Sequence, residues 1–220
     1  PIKYPCVMNK LQQELQEWGK KVCKECRAFI DEGKTDQDFY VFQTELPKES
    51  PELLLVGINP GGSKPYKERG KERETIDDLT QGSNIYRCKK DNQWQSNALG
   101  RVSSLWEYIK IKDDRVAGIN ACYFNTRKDS DLSKEIWDFC APLTQELMEI
   151  LKPKRIIFLS TNEYHLRQVG VKQIKSIGAY VKEGIWQERK IYAFPNHGFY
   201  RAYSYDNTKK MSDILEAYIK

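Results

Sequence analysis

The stretch that decides the fold is Leu53-Leu54-Leu55-Val56-Gly57-Ile58-Asn59-Pro60-Gly61-Gly62. Its first six residues form an almost continuous apolar run, and the Pro-Gly-Gly turn ends that run abruptly. Helical patterns lie on both sides of it in the sequence. A short apolar run in that setting is typical of a strand that is buried in a parallel sheet.

The rest of the chain repeats this alternation of strands and helices. Apolar runs predict four strands, at Leu53–Ile58, Ile119–Phe124, Arg155–Ser160 and Ile191–Phe194. Apolar residues three or four positions apart predict helices over Asn9–Glu32, Leu99–Ile111, Lys134–Leu151, Asn162–Val169 and Lys209–Ile219. We therefore expect an α/β fold, a single three-layer α/β/α domain with a short, mostly parallel four-stranded sheet.

Length and composition limit the class of protein. We expect one domain over residues 1–220, with an N-terminal helical extension (1–50) and a polar insert (63–95) that is too long for an idle connection. Hydrophobic residues at 40% and charged residues at 30% indicate a globular chain rather than a disordered one. No apolar run approaches the roughly 20 residues of a membrane-spanning helix, so no membrane partner is expected. The polar start resembles no signal peptide. We expect a cytoplasmic monomer, and the net charge of +5 fits an anionic partner.

Ligands bind open α/β sheets at the carboxyl ends of the strands, so the residues after each predicted strand are the first candidates. These are Asn59–Gly62, Asn125–Lys128, Ser160–Glu163 and Asn196–Arg201. They supply amides, cations, aromatic rings and one of only two histidines, but no obvious nucleophile with its base and no carboxylate pair. Amides recognise heterocycle edges, aromatic rings stack on bases, and Lys and Arg bind phosphates. The set favours cleavage of a nucleobase from its sugar over acyl or phosphoryl transfer.

From about Pro51 to Tyr203 the chain resembles the uracil-DNA glycosylase superfamily. Gly57-Ile58-Asn59-Pro60-Gly61 resembles the first motif of that superfamily in the Gly-x-Asn-Pro-Gly form of its mismatch-specific and single-strand-selective branches. The segments Ile136–Leu143 and Leu151–Lys154 are similar to the iron–sulfur branches. Asn196-His197-Gly198-Phe199 takes the place of the last motif, although the histidine there is usually followed by Pro-Ser.

The resemblance implies a monofunctional DNA glycosylase that flips a uracil or otherwise altered pyrimidine out of DNA and hydrolyses its N-glycosidic bond, as in base excision during DNA repair. Asn59 would then hold the attacking water and His197 would stabilise the departing base. Asn125 would recognise the base edge. Further base contacts would come from Gly57, Ile58 and one aromatic ring, for which Tyr66 and Trp94 are the candidates.

The DNA contacts implied by the resemblance surround this site. A bulky wedge would fill the gap left by the flipped base, with Phe199, Tyr200 and Arg201 as candidates. The phosphate backbone would be bound through Gly61, Gly62, Arg127 and Lys128.

The six cysteines present a partial match to the iron–sulfur branches. Cys23, Cys26 and Cys140 correspond to three of four cluster ligands, whereas Asp129 stands near the place of the remaining one. Because such clusters are normally held by four thiolates, we expect no cofactor and no metal. An iron–sulfur cluster is the alternative, and reduced buried thiols are the default.

Other interpretations of the same residues stay open. Asn59–Gly62 could be only a strand-ending turn, Asn125 a cap, and His197 a hydrogen-bonded structural residue. His165 is expected to be structural, and the mixed charges of Lys67–Glu74 favour a solvated face. The polar insert would also suit a glycosylase for enlarged modified cytosines in phage DNA, as a defence. The altered last motif would suit a catalytically inactive nucleic-acid-binding relative.

Overall fold

A computed structural model describes residues 8–62, 64–69, 72–80, 89–90, 93–94, 111, 115–128, 131–195 and 205–219. The helices are α1 (Lys10–Asp31), α2 (Lys134–Leu151), α3 (Glu163–Gln168) and α4 (Tyr205–Ile219), with 3-10 helices at Tyr66–Arg69 and Ile76–Leu79. The strands are β1 (Leu53–Gly57), β2 (Lys89–Lys90), β3 (Gln93–Trp94), β4 (Val116–Asn120), β5 (Arg155–Phe158), β6 (Lys172–Ser176), β7 (Lys182–Trp186) and β8 (Arg189–Ala193).

The main sheet has six strands in the order β4-β1-β5-β8-β7-β6. The first four run parallel, with Gly57 beside Asn120 and Ile157 beside Tyr192. The last two run antiparallel to their neighbours. The predicted α/β class is therefore confirmed. The predicted number of strands is wrong, because the sheet has six strands rather than four and is mixed, with two antiparallel strands at one side. Strands β2 and β3 pair separately as a short ribbon within the polar insert.

The two unpredicted strands of the main sheet, β6 and β7, carry little apolar signal. Every residue of β6 except Ile174 is exposed, so charge rather than hydrophobicity marks this edge of the sheet. The turn from β7 to β8 is made by Gln187 and Glu188, both with positive φ (45° and 64°). That backbone is typical of a two-residue hairpin turn, in which Asn-Gly is the commonest pair of residues. Because Gln187 and Glu188 are unusual residues for this turn, the β7–β8 hairpin could not be predicted from the sequence.

The second predicted strand is displaced along the chain. It was expected at Ile119–Phe124, whereas β4 ends at Asn120. The residues that follow stay buried because they pack against helix α1: the Tyr123 ring lies 6.3 Å from Trp18, and Phe124 lies 5.3 Å from Phe29. The apolar run therefore reflects burial beyond the end of the strand.

Helices cover both faces of the sheet. Side chains alternate along β1, so that Leu54 and Val56 join a core with α1, α2 and α3. Leu53 and Leu55 join a second core with Met211 and Leu215 of α4. Helix α1 begins at a capping box, in which Asn9 Oδ1 accepts from the Gln12 amide at 2.9 Å. This burial on both faces explains the continuous apolar run of β1.

Two further expectations concern the helices. The helix predicted at Leu99–Ile111 lies outside the described residues, apart from Ile111 itself, which is buried. Within the described part of the chain, no helix is both long enough and apolar enough to cross a membrane.

Candidate functional site

The candidate site lies at the carboxyl edge of the four parallel strands. In the main sheet, β4 lies on one side of β1, and the strand that follows it in the chain, β5, lies on the other side of β1. Such a reversal leaves a crevice between β1 and β5, and ligands of open α/β sheets bind at this switch point. The Asn59–Gly62 loop leaves β1 there, and Ser160 follows β5 there.

The loop after β1 is tied to the segment after β4. Cys122 N–H donates to Ile58 O at 2.7 Å, and Thr126 N–H donates to Pro60 O at 3.4 Å. Gly61 forms an isolated bridge with Thr126. The structure therefore brings together residues that lie more than sixty positions apart in the sequence, as the strand-end prediction requires.

The Asn59 side chain has a fixed orientation. Its Nδ2 donates to Thr126 Oγ1 at 2.7 Å and to Pro60 O at 3.0 Å. Thr126 Oγ1 in turn donates to Lys128 O at 2.7 Å, so the hydroxyl is free to accept from Asn59. No described residue donates to Asn59 Oδ1. The amide therefore presents an acceptor, and Thr126, which the motif analysis did not single out, determines this orientation.

The Asn125 side chain is buried. Only 5% of its surface is exposed, and its Oδ1 accepts no hydrogen bond from the described residues. Its backbone N–H donates to Asp38 O at 2.8 Å, so the main chain itself is held. Gly62 adopts a φ of +118°, and a Cβ added there would lie 3.8 Å from Asn125 Nδ2. A buried polar atom without a partner costs about 1–3 kcal/mol, which a ligand donor would recover.

Of the two aromatic candidates, Tyr66 is the one whose side chain is described. Its half-buried ring stacks on Phe39 at 5.6 Å with an interplanar angle of 20°. Phe39 also contacts Phe124, the residue before Asn125. Tyr66 therefore lies on the Asn125 side of the edge. The side chain of Trp94 lies outside the described part of the structure.

Gly57 and Ile58 contribute backbone rather than side chains. A Cβ on Gly57 would overlap the Gln43 amide, which donates to Asn120 Oδ1 at 2.5 Å. The side chain of Ile58 belongs to the core. Their carbonyl oxygens accept from Ala121 N–H and Cys122 N–H. The pair of buried amides, Gln43 and Asn120, is a feature that the motif analysis did not anticipate.

The predicted DNA contacts divide into two groups. Arg127 and Lys128 are exposed directly after Thr126, beside the candidate site. The residues of the last motif, His197, Phe199, Tyr200 and Arg201, lie outside the described residues. Strand β8 ends at Ala193 on the same edge, and the last motif begins shortly afterwards in the sequence, at Asn196.

The structure pairs a serine with a histidine, whereas no nucleophile beside its base was obvious among the residues that follow the predicted strands. Ser160 Oγ lies 3.0 Å from His165 Nδ1 and accepts from Asn162 N–H at 3.2 Å. Both side chains are buried, and the His165 ring stacks on Trp137 at 5.2 Å. This packing fits the structural role expected of His165. Arg73, expected on a solvated face, is also buried.

The four described cysteines lie in the core rather than at the site. Cys23, Cys26, Cys122 and Cys140 are buried and form no disulfide with one another. Burial raises the pKa of the Cys26 thiol well above its usual range, and the same cause raises the pKa of Cys122. Among the residues that the structure describes, no group of three or more His, Cys, Asp or Glu side chains is arranged to hold a metal ion. The iron–sulfur cluster that the motifs offered as an alternative therefore stays a prediction.

Comparison with known protein families finds no family model that matches this chain, and no curated protein matches it either. The resemblance to the uracil-DNA glycosylase superfamily therefore stays a prediction from the motifs.

Proposed function

We propose that this protein is a DNA glycosylase that flips a uracil or otherwise altered pyrimidine out of DNA and hydrolyses its N-glycosidic bond. The observation that carries the proposal is the Asn125 side chain, which is buried beside Gly62 and whose acceptor oxygen has no partner among the described residues. An asparagine amide offers a donor and an acceptor side by side, and the edge of a pyrimidine offers the complementary pair.

Asn59 supplies the second element of the proposal. Because Thr126 engages its Nδ2, Oδ1 is the atom left to accept a hydrogen bond from a water molecule. That water would add its oxygen to C1′ of the sugar as the C1′–N bond breaks. The bonding electron pair leaves with the base, which ends with one proton of the water while the sugar keeps the hydroxyl. The sugar becomes cationic on the way, so charge placement and orientation lower the barrier.

The surrounding residues supply binding. The Tyr66 ring would stack on the flipped base, and the cations of Arg127 and Lys128 would contact phosphates. Gly61 and Gly62 carry no side chain that would keep a DNA backbone away. His197 would stabilise the base anion, as the motif resemblance implies.

The test is a base-release assay on the full chain. Single- and double-stranded oligonucleotides carrying uracil, mismatched thymine or enlarged cytosines are incubated with the protein, and abasic sites are detected by alkaline strand cleavage. We expect abasic product on at least one substrate. Asn59→Ala should slow the single-turnover rate about 100-fold with little change in DNA affinity.

Asn162→Ala provides the matched control. Asn162 follows β5 at the same edge, but its Oδ1 accepts from Tyr164 N–H at 2.9 Å and so caps helix α3. This variant should lose a little stability and keep its rate. Absence of abasic product on every substrate, together with salt-dependent DNA binding, would instead indicate a catalytically inactive nucleic-acid-binding protein. Product from enlarged cytosines alone would assign the activity to defence against modified phage DNA.

A further inference from the structure

A buried ion pair lies beneath the candidate site. Arg73 Nη2 lies 2.9 Å from Asp38 Oδ2, and Arg73 Nε donates to Asp38 Oδ1 at 3.1 Å. The side chains are only 4% and 2% exposed. The guanidinium also donates to Asp78 O and lies 3.6 Å from the centre of the Tyr40 ring. Both charges are therefore removed from water and held in a planar, two-bond geometry.

The backbone of Asp38 connects this pair to the backbone N–H of Asn125. Asp38 O accepts from Asn125 N–H at 2.8 Å, and Asp38 N–H donates to Lys64 O at 3.0 Å. Lys64 belongs to the segment that follows Gly62. Asp38 is therefore hydrogen-bonded to both of the strand-end segments that form the candidate site.

The backbone of Arg73 connects the pair to the aromatic side of the site. Arg73 N–H donates to Tyr66 Oη at 3.4 Å. Tyr66 N–H donates to Asp36 O at 2.8 Å, and the Tyr66 ring stacks on Phe39. Tyr66 is thus held from both ends by residues adjoining the ion pair.

We infer that Asp38 and Arg73 are positioning residues, which hold the main chain at Asn125, and with it the base-recognising side chain, and the ring of Tyr66 as one rigid unit. This inference rests on the proposed function for the meaning of that unit. A buried ion pair is weak evidence for stability in itself, because desolvation offsets much of the Coulombic attraction. The orientation that it imposes on two segments of the site is its specific contribution.

Amide hydrogen exchange tests the inference without reference to activity. Arg73→Lys keeps the charge but removes the two-bond geometry, so exchange at the Asn125 and Tyr66 amides should accelerate by about tenfold or more. Arg115→Gln is the matched control, since Arg115 pairs with Glu49 and Glu52 at the opposite end of β1 and β4. That control should leave both amides unchanged.

A double-mutant cycle then connects the pair to the chemistry. Arg73→Lys should lower kcat/KM about 10- to 100-fold, because a small misplacement far from the reacting atoms has effects of that size. In an Asn125→Ala background the same change should lower it less than about twofold, because the two residues act through one another. Arg115→Gln should have the same small effect in either background. Arg73→Lys is used rather than Arg73→Gln because it retains the positive charge beside the buried Asp38 carboxylate.

The outcomes separate the two proposals. Unchanged exchange at both amides, or additive effects of Arg73→Lys and Asn125→Ala, would overturn the positioning role while leaving the glycosylase proposal standing. Faster exchange in Arg73→Lys with no base release by the unmodified protein would overturn the glycosylase proposal and leave the positioning role standing.

Discussion

The two halves of the main sheet differ in almost every respect. All five residues of β1 and of β4 are buried, and their strands run parallel between helices. The hairpin of β6 and β7 runs antiparallel, and four of the five β6 residues are exposed. The candidate site is built on the parallel half alone. A buried, two-sided sheet gives loops at its carboxyl edge a rigid base, whereas the hairpin completes the sheet at one side.

The largest expected effect distinguishes the cores of the two halves. Leu54→Ala removes a fully buried side chain from β1, and we expect a loss of about 2–5 kcal/mol in the free energy of unfolding. Ile174→Ala removes a half-buried side chain from β6 and should cost much less. Denaturant unfolding of both variants measures the difference. Equal losses would contradict the view that β6 contributes little to the core.

A second effect, of intermediate size, concerns the hairpin itself. A Cβ on Gly184 of β7 would lie 2.5 Å from Val171 Cγ1 and 3.2 Å from Lys172 O. Gly184→Ala should therefore cost about 1–3 kcal/mol through overpacking. Gly178→Ala, in the turn between β6 and β7, meets no atom within 4 Å and serves as the control. A Gly184→Ala protein as stable as that control would show that the hairpin rearranges freely.

The smallest effect is electrostatic and depends on pH. The Lys175 ammonium, hydrogen-bonded to Glu183, holds the pKa of that carboxyl below its usual range. A carboxylate whose pKa is lowered on folding stabilises the fold above its unfolded pKa, and this contribution disappears as pH falls through its folded pKa. Glu183→Gln should be slightly less stable than the unmodified protein at about pH 7, and this difference should shrink as the pH falls toward about 3. Denaturant titrations at both values measure the change, and a difference that persists in acid would contradict this cause.

The same contrast explains which elements the sequence could predict. Helix α2 was predicted with its observed bounds, because Ser133 caps it and its apolar residues keep helical spacing. Strand β1 was found from its apolar run. Strands β6 and β7 were not predicted because their charges give no alternation and because Gln187-Glu188, which turns β7 into β8, is an unusual turn pair. Bounds at β4 were wrong because Tyr123 and Phe124 are buried for reasons of helix packing.

The candidate site was predictable in outline only. Strand-end logic predicted that Asn59, Gly62 and Asn125 lie together. The structure agrees, since Asn59 donates to Thr126, Asn125 N–H donates to Asp38 O, and Gly62 lies beside the Asn125 side chain. Neither Thr126 nor the Asp38–Arg73 pair was found, because their roles depend on contacts between distant segments. A mixed-charge run such as Lys67–Glu74 gives no sign that one of its arginines is buried.

The proposed function requires that Asn125 Oδ1, which accepts from no described residue, is kept for a ligand rather than for the fold. Asn125→Leu tests it most directly, because leucine has a similar size and carries no polar atom. Unfolding free energy and base release are measured on the same preparation. We predict stability that is unchanged or raised by about 1 kcal/mol, since an unsatisfied acceptor is removed, together with at least about a 100-fold loss of base release. A variant that loses several kcal/mol of stability and retains full base release would contradict the claim.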